Sequence, residues 1–171
     1  MNNNTKPLVF RVPCSKESHE LADKYAGQQV SKKKAKQVYL NTLSVYVGKD
    51  YLESLDFKTS LDNTSFSKSF LRMTEDVSDV IIPEIGTVEF RHVLPGEASF
   101  SIPNPDKKEV VAYVAVAFDD SLDFGDMLGF VTPKDLLESN VDMSVSLDNL
   151  QPIERLLSYL SDLETNNLLK N

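Results

Sequence analysis

The sequence predicts an α+β domain, because its strands and helices fall in separate blocks rather than alternating as a doubly wound sheet requires. Three observations carry this. Between Lys34 and Leu55, apolar side chains recur at helical spacing so densely that the segment reads as the central helix of a core. From Val80 to Val131, runs rich in Val, Ile and Phe are separated by Pro-Glu, Pro-Gly and Pro-Asn-Pro turns. After Gln151-Pro152, apolar residues return to helical spacing. The expected architecture is an N-terminal strand and two helices, the second central and buried, packed on an antiparallel β-meander and closed by a C-terminal helix.

Taken in order, Leu8–Val12 reads as a short strand bracketed by Pro7 and Pro13, which cannot sit inside a hydrogen-bonded ladder. Ser15 offers a cap for a first helix, with Glu17 and Glu20 at its positive end and Leu21, Ala22, Tyr25 and Ala26 as one apolar stripe. Ser31 caps the second helix, expected from about Lys32 to Leu55. Its apolar residues, among them Val38, Tyr39, Leu43, Tyr46 and Leu52, cover more than one stripe, so it is expected between the first helix and a sheet, with Tyr39, Leu43 and Tyr46 largely buried. Residues 56–76 are polar with irregularly spaced apolar side chains and read as a loop with a short helical turn.

Strands are expected at 80–82, 86–93 and 98–102. In the second, Val88 and Phe90 alternate with Glu89 and Arg91, the pattern of a strand with one wet face. Val110–Phe118 is almost wholly apolar and suits a central strand covered on both faces. Further strands are expected at Met127–Val131 and Asp142–Leu147, then a closing helix that buries Ile153, Leu156, Leu157, Leu160 and Leu163.

At 171 residues the chain suits one domain over 1–171, with flexible ends expected at 1–6 and 165–171. Apolar content of 41% and charged content of 26% are ordinary for a globular protein. No apolar run approaches the ~18 residues of a membrane helix, no secretory leader is legible, and Cys14 stands alone. A cytoplasmic location is the expectation, with no membrane partner.

The net charge of −8 is unevenly placed. Residues 1–118 hold 15 acidic and 15 basic side chains, whereas residues 119–171 hold 11 acidic against 3 basic. That final third would repel a phosphate backbone, so no nucleic-acid partner is expected, but it would attract a basic protein surface.

Several segments together carry a family resemblance. Val12-Pro13 with Ser15, His19 and Leu21-Ala22, then Lys34–Leu55, look like an opening junction and a central helix. Glu84–Arg91, Val93–Glu97, Tyr113–Val116 and Leu128–Val131 look like a sheet, and Leu147–Pro152 with Glu154–Leu157 like a closing helix. Over about residues 8–163 the chain resembles the cyanobacterial domain of unknown function family 1822. Lys32-Lys33-Lys34 departs from the polar or acidic helix start expected there. The resemblance implies a soluble protein, in some relatives linked by gene context to extracytoplasmic-function sigma factors. It implies no activity and no catalytic residue.

Candidate chemistry is sparse. Cys14 and His19 are close enough in sequence for a thiol and a base, but no orienting Asn or Asp accompanies them, and His92 reads as a polar residue at a strand edge. One Cys and two scattered His lack zinc-ligand spacing. Asp119, Asp120, Asp123 and Asp126 lack the calcium-loop spacing and read as a polar turn. No glycine cluster cradles a phosphate. Lys32, Lys33, Lys34 and Lys36 oppose the helix dipole and read as a solvated charge run. No cofactor, metal or catalytic residue is therefore assigned.

The functional expectation is a non-enzymatic interaction or regulatory protein. Its acidic final third, through Asp135, Glu138 and Asp142, would meet a basic protein partner, with a sigma factor as the candidate, beside apolar anchors such as Leu136, Leu137, Leu168 and Leu169. The alternative is a small-molecule-binding or enzymatic domain with a pocket between the central helix and the sheet. A third possibility is self-assembly through an exposed strand edge.

Overall fold

The computed structural model describes residues 8–61, 79–102, 109–139 and 144–169, the side chains of 137–139 excepted. The chain forms β1 (Phe10–Pro13), α1 (Lys16–Ala26), α2 (Lys32–Ser54), β2 (Ser60–Leu61), β3 (Asp79–Ile82), β4 (Gly86–Val93), β5 (Ser99–Ser101), β6 (Val110–Phe118), β7 (Phe124–Val131), α3 (Pro133–Ser139), β8 (Ser144–Ser146) and, after two short 3₁₀ turns, α4 (Leu156–Leu168). This is an α+β fold. Two short elements, β2 and α3, carry no clear periodic signal.

Both expected caps are present. The Ser15 hydroxyl accepts from the Ser18 amide at 3.1 Å and the Ser31 hydroxyl from Lys34 at 3.2 Å, each satisfying one of the unpaired amides at a helix start. The helix α2 packs on α1 and on β1, β3 and β4. It lies between helix and sheet, as its apolar circumference requires. Leu43 is fully buried, but Tyr39 and Tyr46 are only half-buried. Within this apolar helix Thr42 and Ser44 return their hydroxyls to the carbonyls of Val38 and Leu40 (2.8 and 2.9 Å), which satisfies them without a distant partner.

Six strands form one sheet in the order β1-β7-β6-β4-β3-β2, and β5 pairs with β8 in a second, two-stranded sheet. The expected meander holds at both ends but not at the centre, where β4 and β6 run parallel. Between them the chain leaves the sheet to form β5, and two parallel neighbours need such a crossover. The strand β6 is central, with β4 on one side and β7 on the other. Its Ala112, Val114 and Val116 face a core shared with Val45, Val47, Tyr51, Leu52 and α4, while Tyr113 and Ala115 face a second core built with Phe100, Ile102 and Val145. Burial on both faces is what its unbroken apolar run implied.

The alternation in β4 identifies the two faces, but the second is not wet. Glu89 is 1% exposed and Arg91 7%. They share the face of Val93, Tyr113 and Ala115, which β5 and β8 cover. The two charges answer each other: Arg91 Nε donates to Glu89 Oε2 at 3.1 Å, and Nη2 donates to the same oxygen at closer range. A buried ion pair is tolerated where each partner neutralises the other.

Thr165 and Asn167, expected in a flexible end, continue α4. Thr165 Oγ1 donates to Ser161 O, and Asn167 Nδ2 reaches Glu84 O at 2.8 Å. The expected loop over 56–76 falls mostly outside the described residues, as does 1–6. No described helix is long and apolar enough to cross a membrane.

Candidate ligand-binding site

The strand β3 pairs only with Gly86–Glu89, so among the described strands none lies against Phe90–Val93 on that side. There α2, the end of β4 and the start of β5 enclose a cavity of about 500 Å³. Its deepest polar groups are Arg91 and Asn41, which is 5% exposed. Gln37 stands one helical turn before Asn41, on the same face of α2. Ser99, Phe100 and Leu94 complete the wall, with Glu97 exposed at the rim. Among the described residues no side-chain hydrogen bond engages the Asn41 carboxamide, so its donors and acceptor are offered to the cavity.

His92 also lines this space. Burial pushes its pKa below the ordinary histidine range, Arg91 pushes the same way, and Glu97 opposes them. This environment favours the neutral imidazole.

A second, more apolar cleft of about 400 Å³ lies on the other side of Leu94, walled by Ala26, Ala35, Tyr39, Leu40 and Phe118, with Lys36 at its margin. Lys32 and Lys33 are exposed at the start of α2.

The residues singled out for a basic partner separate. Asp135, which is partly exposed, also has a structural role. Its Oδ2 accepts from Thr132 N at 2.7 Å, Thr132 Oγ1 at 2.9 Å and Gln151 Nε2 at 2.7 Å, while its own amide donates to Thr132 Oγ1 at 3.3 Å. This reciprocal arrangement, with Pro133 at the first helical position, is a capping box that starts α3 and ties it to the segment leading into α4. Burial pushes the carboxyl up, but the hydrogen bonds from Thr132 and Gln151 more than reverse this and hold it below the ordinary Asp range. The depressed pKa gives stability that is fully present above the unfolded value, ~4, and lost as pH falls through the folded value. Asp135→Ala is expected to cost about 1–2 kcal/mol as a lost cap. Asp135→Asn, which keeps an acceptor, should flatten the acid side of the curve. Thermal melts between pH 7 and 3 check both. The side chain of Glu138, the side chain of Leu137 and all of Asp142 lie outside the described residues.

Cys14 and His19 do not form a thiol–imidazole pair. His19 Nδ1 is 2.6 Å from the Tyr39 hydroxyl. The Cys14 thiol is pushed up to about 12 by burial and by the carboxylates of Asp119, Asp123 and Asp50. Iodoacetamide at pH 8 is expected to alkylate Cys14 slower than an exposed peptide thiol by on the order of a hundredfold, because the thiolate is the nucleophile. Equal rates would contradict this environment. Two of the carboxylates at 119–126 serve the turn and the sheet. Asp119 accepts from Ser121 Oγ and the Phe124 amide, and Asp126 holds Arg11, its cross-strand partner, through two bonds of 2.7 and 2.8 Å. Among the described residues no group of three His, Cys, Asp or Glu side chains is placed to hold a metal.

Sequence pattern did not single out Asn41, Gln37 or Arg91 as site residues. The available signals were a carboxamide inside the most apolar stretch of a buried helix, and a Glu-x-Arg pair in a strand whose other face is core.

The family model described as "Protein of unknown function (DUF1822)" matches residues 12–170. The chain belongs to this family. No curated protein and no solved structure matches the chain. The match runs from β1 to the end of α4, so the cavity, both cores and the Asp135 cap all lie within the DUF1822 domain.

Proposed function

We propose that this DUF1822 domain is a non-enzymatic binding protein that holds a small polar molecule in the cavity between α2 and the end of β4. One observation carries this reading: two polar side chains more than nine-tenths buried, Arg91 and Asn41, line the same cavity of about 500 Å³. Buried polar groups are costly without partners, so folds keep them facing open space mainly where a ligand or water completes them. A screen of small polar compounds by two-dimensional NMR tests it. Binders should shift the side-chain amides of Gln37 and Asn41 and the backbone amides of Ser99 and Phe100. Those shifts should disappear in Asn41→Leu. A screen in which no compound moves these resonances would remove the reading.

Docking of a basic protein partner, such as a sigma factor, on the acidic final third is the second reading. Its support is the charge imbalance of residues 119–171. Because Asp135 is a helix cap, the informative reversal is Glu138→Lys with Asp142→Lys alone. Rim charges act mainly on encounter rate, so association should slow and weaken further with salt.

A further inference from the structure

Resting on the binding-site reading above, we infer that the ligand of the α2–β4 cavity is a monocarboxylate, held by its carboxylate on Arg91 and Asn41, with an apolar body against Phe100 and Leu94. Glu89 holds the guanidinium by one edge. Nε and Nη2 both donate to a single oxygen of the Glu89 carboxylate. Nη1 and the outer hydrogen of Nη2 form another edge of the planar group, and that edge carries only donors. Its complement is a pair of coplanar acceptors, which a carboxylate supplies bidentately. The Asn41 carboxamide, deep in the same wall, adds one further donor to either oxygen.

Charge decides between oxyanions. Glu89, behind Arg91, pairs with it, and among the described residues no lysine and no second arginine lines the cavity. Glu97 at the rim is a further negative charge. Such a site suits one negative charge shared over two oxygens and disfavours a phosphate dianion, which needs clustered cations. A neutral amide presents one acceptor and an NH₂ group that would face the Arg91 donors head-on. The apolar part of the wall then sets the body. Phe100 and Leu94 offer a surface of suitable size for a ring or a short aliphatic chain.

Three probes with one body and different heads test this: benzoate, benzamide and phenyl phosphate, each titrated as a matched sodium-buffered solution while the Gln37, Asn41, Ser99 and Phe100 resonances are followed. Benzoate should move them to saturation. Benzamide should bind at least about tenfold more weakly, and phenyl phosphate more weakly than benzoate. Asn41→Asp places a like charge beside the bound carboxylate and should weaken benzoate by a larger factor than benzamide. Benzamide binding as tightly as benzoate, or phenyl phosphate binding more tightly, would overturn the carboxylate assignment and leave the cavity standing as a binding site. If none of the three probes moves any cavity resonance, while a broader polar screen does, the assignment falls alone. If that screen is silent too, the binding-site reading falls with it.

Discussion

Gly48→Ala is expected to destabilise the domain by about 1–3 kcal/mol, although alanine is the better helix former by about 1 kcal/mol. The reason is the closeness of α2 to the sheet. A Cβ at Gly48 would stand 2.3 Å from Cγ and Cδ2 of Phe90 and 2.6 Å from Cδ1. Phe90 is fully buried in the core under α2, so its ring has nowhere to retreat and the helix must lift instead. The adjacent position is also tight, since Val47 Cγ1 would lie 2.7 Å from a Cβ at Gly125 on β7. Local propensity and packing therefore oppose each other at Gly48, and packing wins. Denaturant melts of Gly48→Ala, Phe90→Ala and the pair check this. Phe90→Ala alone should cost about 3–5 kcal/mol, and distinctly less in the Gly48→Ala background, because the first methyl then occupies space the ring has vacated. Strict additivity would show that the two residues do not share that space.

A still greater effect belongs to the buried charges. Glu89→Met is expected to cost about 3–5 kcal/mol, because it leaves the Arg91 guanidinium uncompensated inside the fold. Replacing both, as Glu89→Met with Arg91→Met, should restore most of that loss, since a buried pair exchanged for apolar side chains of similar volume is often neutral or better. The double variant also separates stability from binding. It should melt near the parent temperature yet no longer respond to benzoate, since the donor edge is gone. A double variant as unstable as Glu89→Met would mean that the pair contributes through its hydrogen bonds rather than through neutralisation alone. A double variant that still bound benzoate would move the carboxylate away from Arg91.

Much of the architecture is written in local pattern. The Ser15 and Ser31 caps, the span of α2 within one residue of its end, the burial of β6 on both faces and the closing helix, whose Leu157 is however exposed rather than buried, follow from periodicity and cap chemistry confined to a few neighbouring residues. The candidate site is legible only in part. A pocket between the central helix and the sheet is one of the alternatives the sequence allows, but pattern alone casts its surroundings differently, with the segment around Asn41 as the interior of a core helix and Glu89 and Arg91 as a wet strand face.

By itself, then, the sequence determined which segments become helix or strand and which side chains share a face. Alternation in β4 put Val88 and Phe90 on one side and Glu89 and Arg91 on the other. What lies opposite each face was decided only by tertiary structure. The layer over Glu89 and Arg91 is built by β5 and β8, and β8 pairs with β5 from more than forty residues further along the chain. The parallel pairing of β4 with β6 has the same origin, because strand order depends on where the crossover carries the chain and leaves no trace in periodicity. A period of two records that a residue points away from its neighbours; only the returning chain determines whether it points into water, into a core or into a cavity.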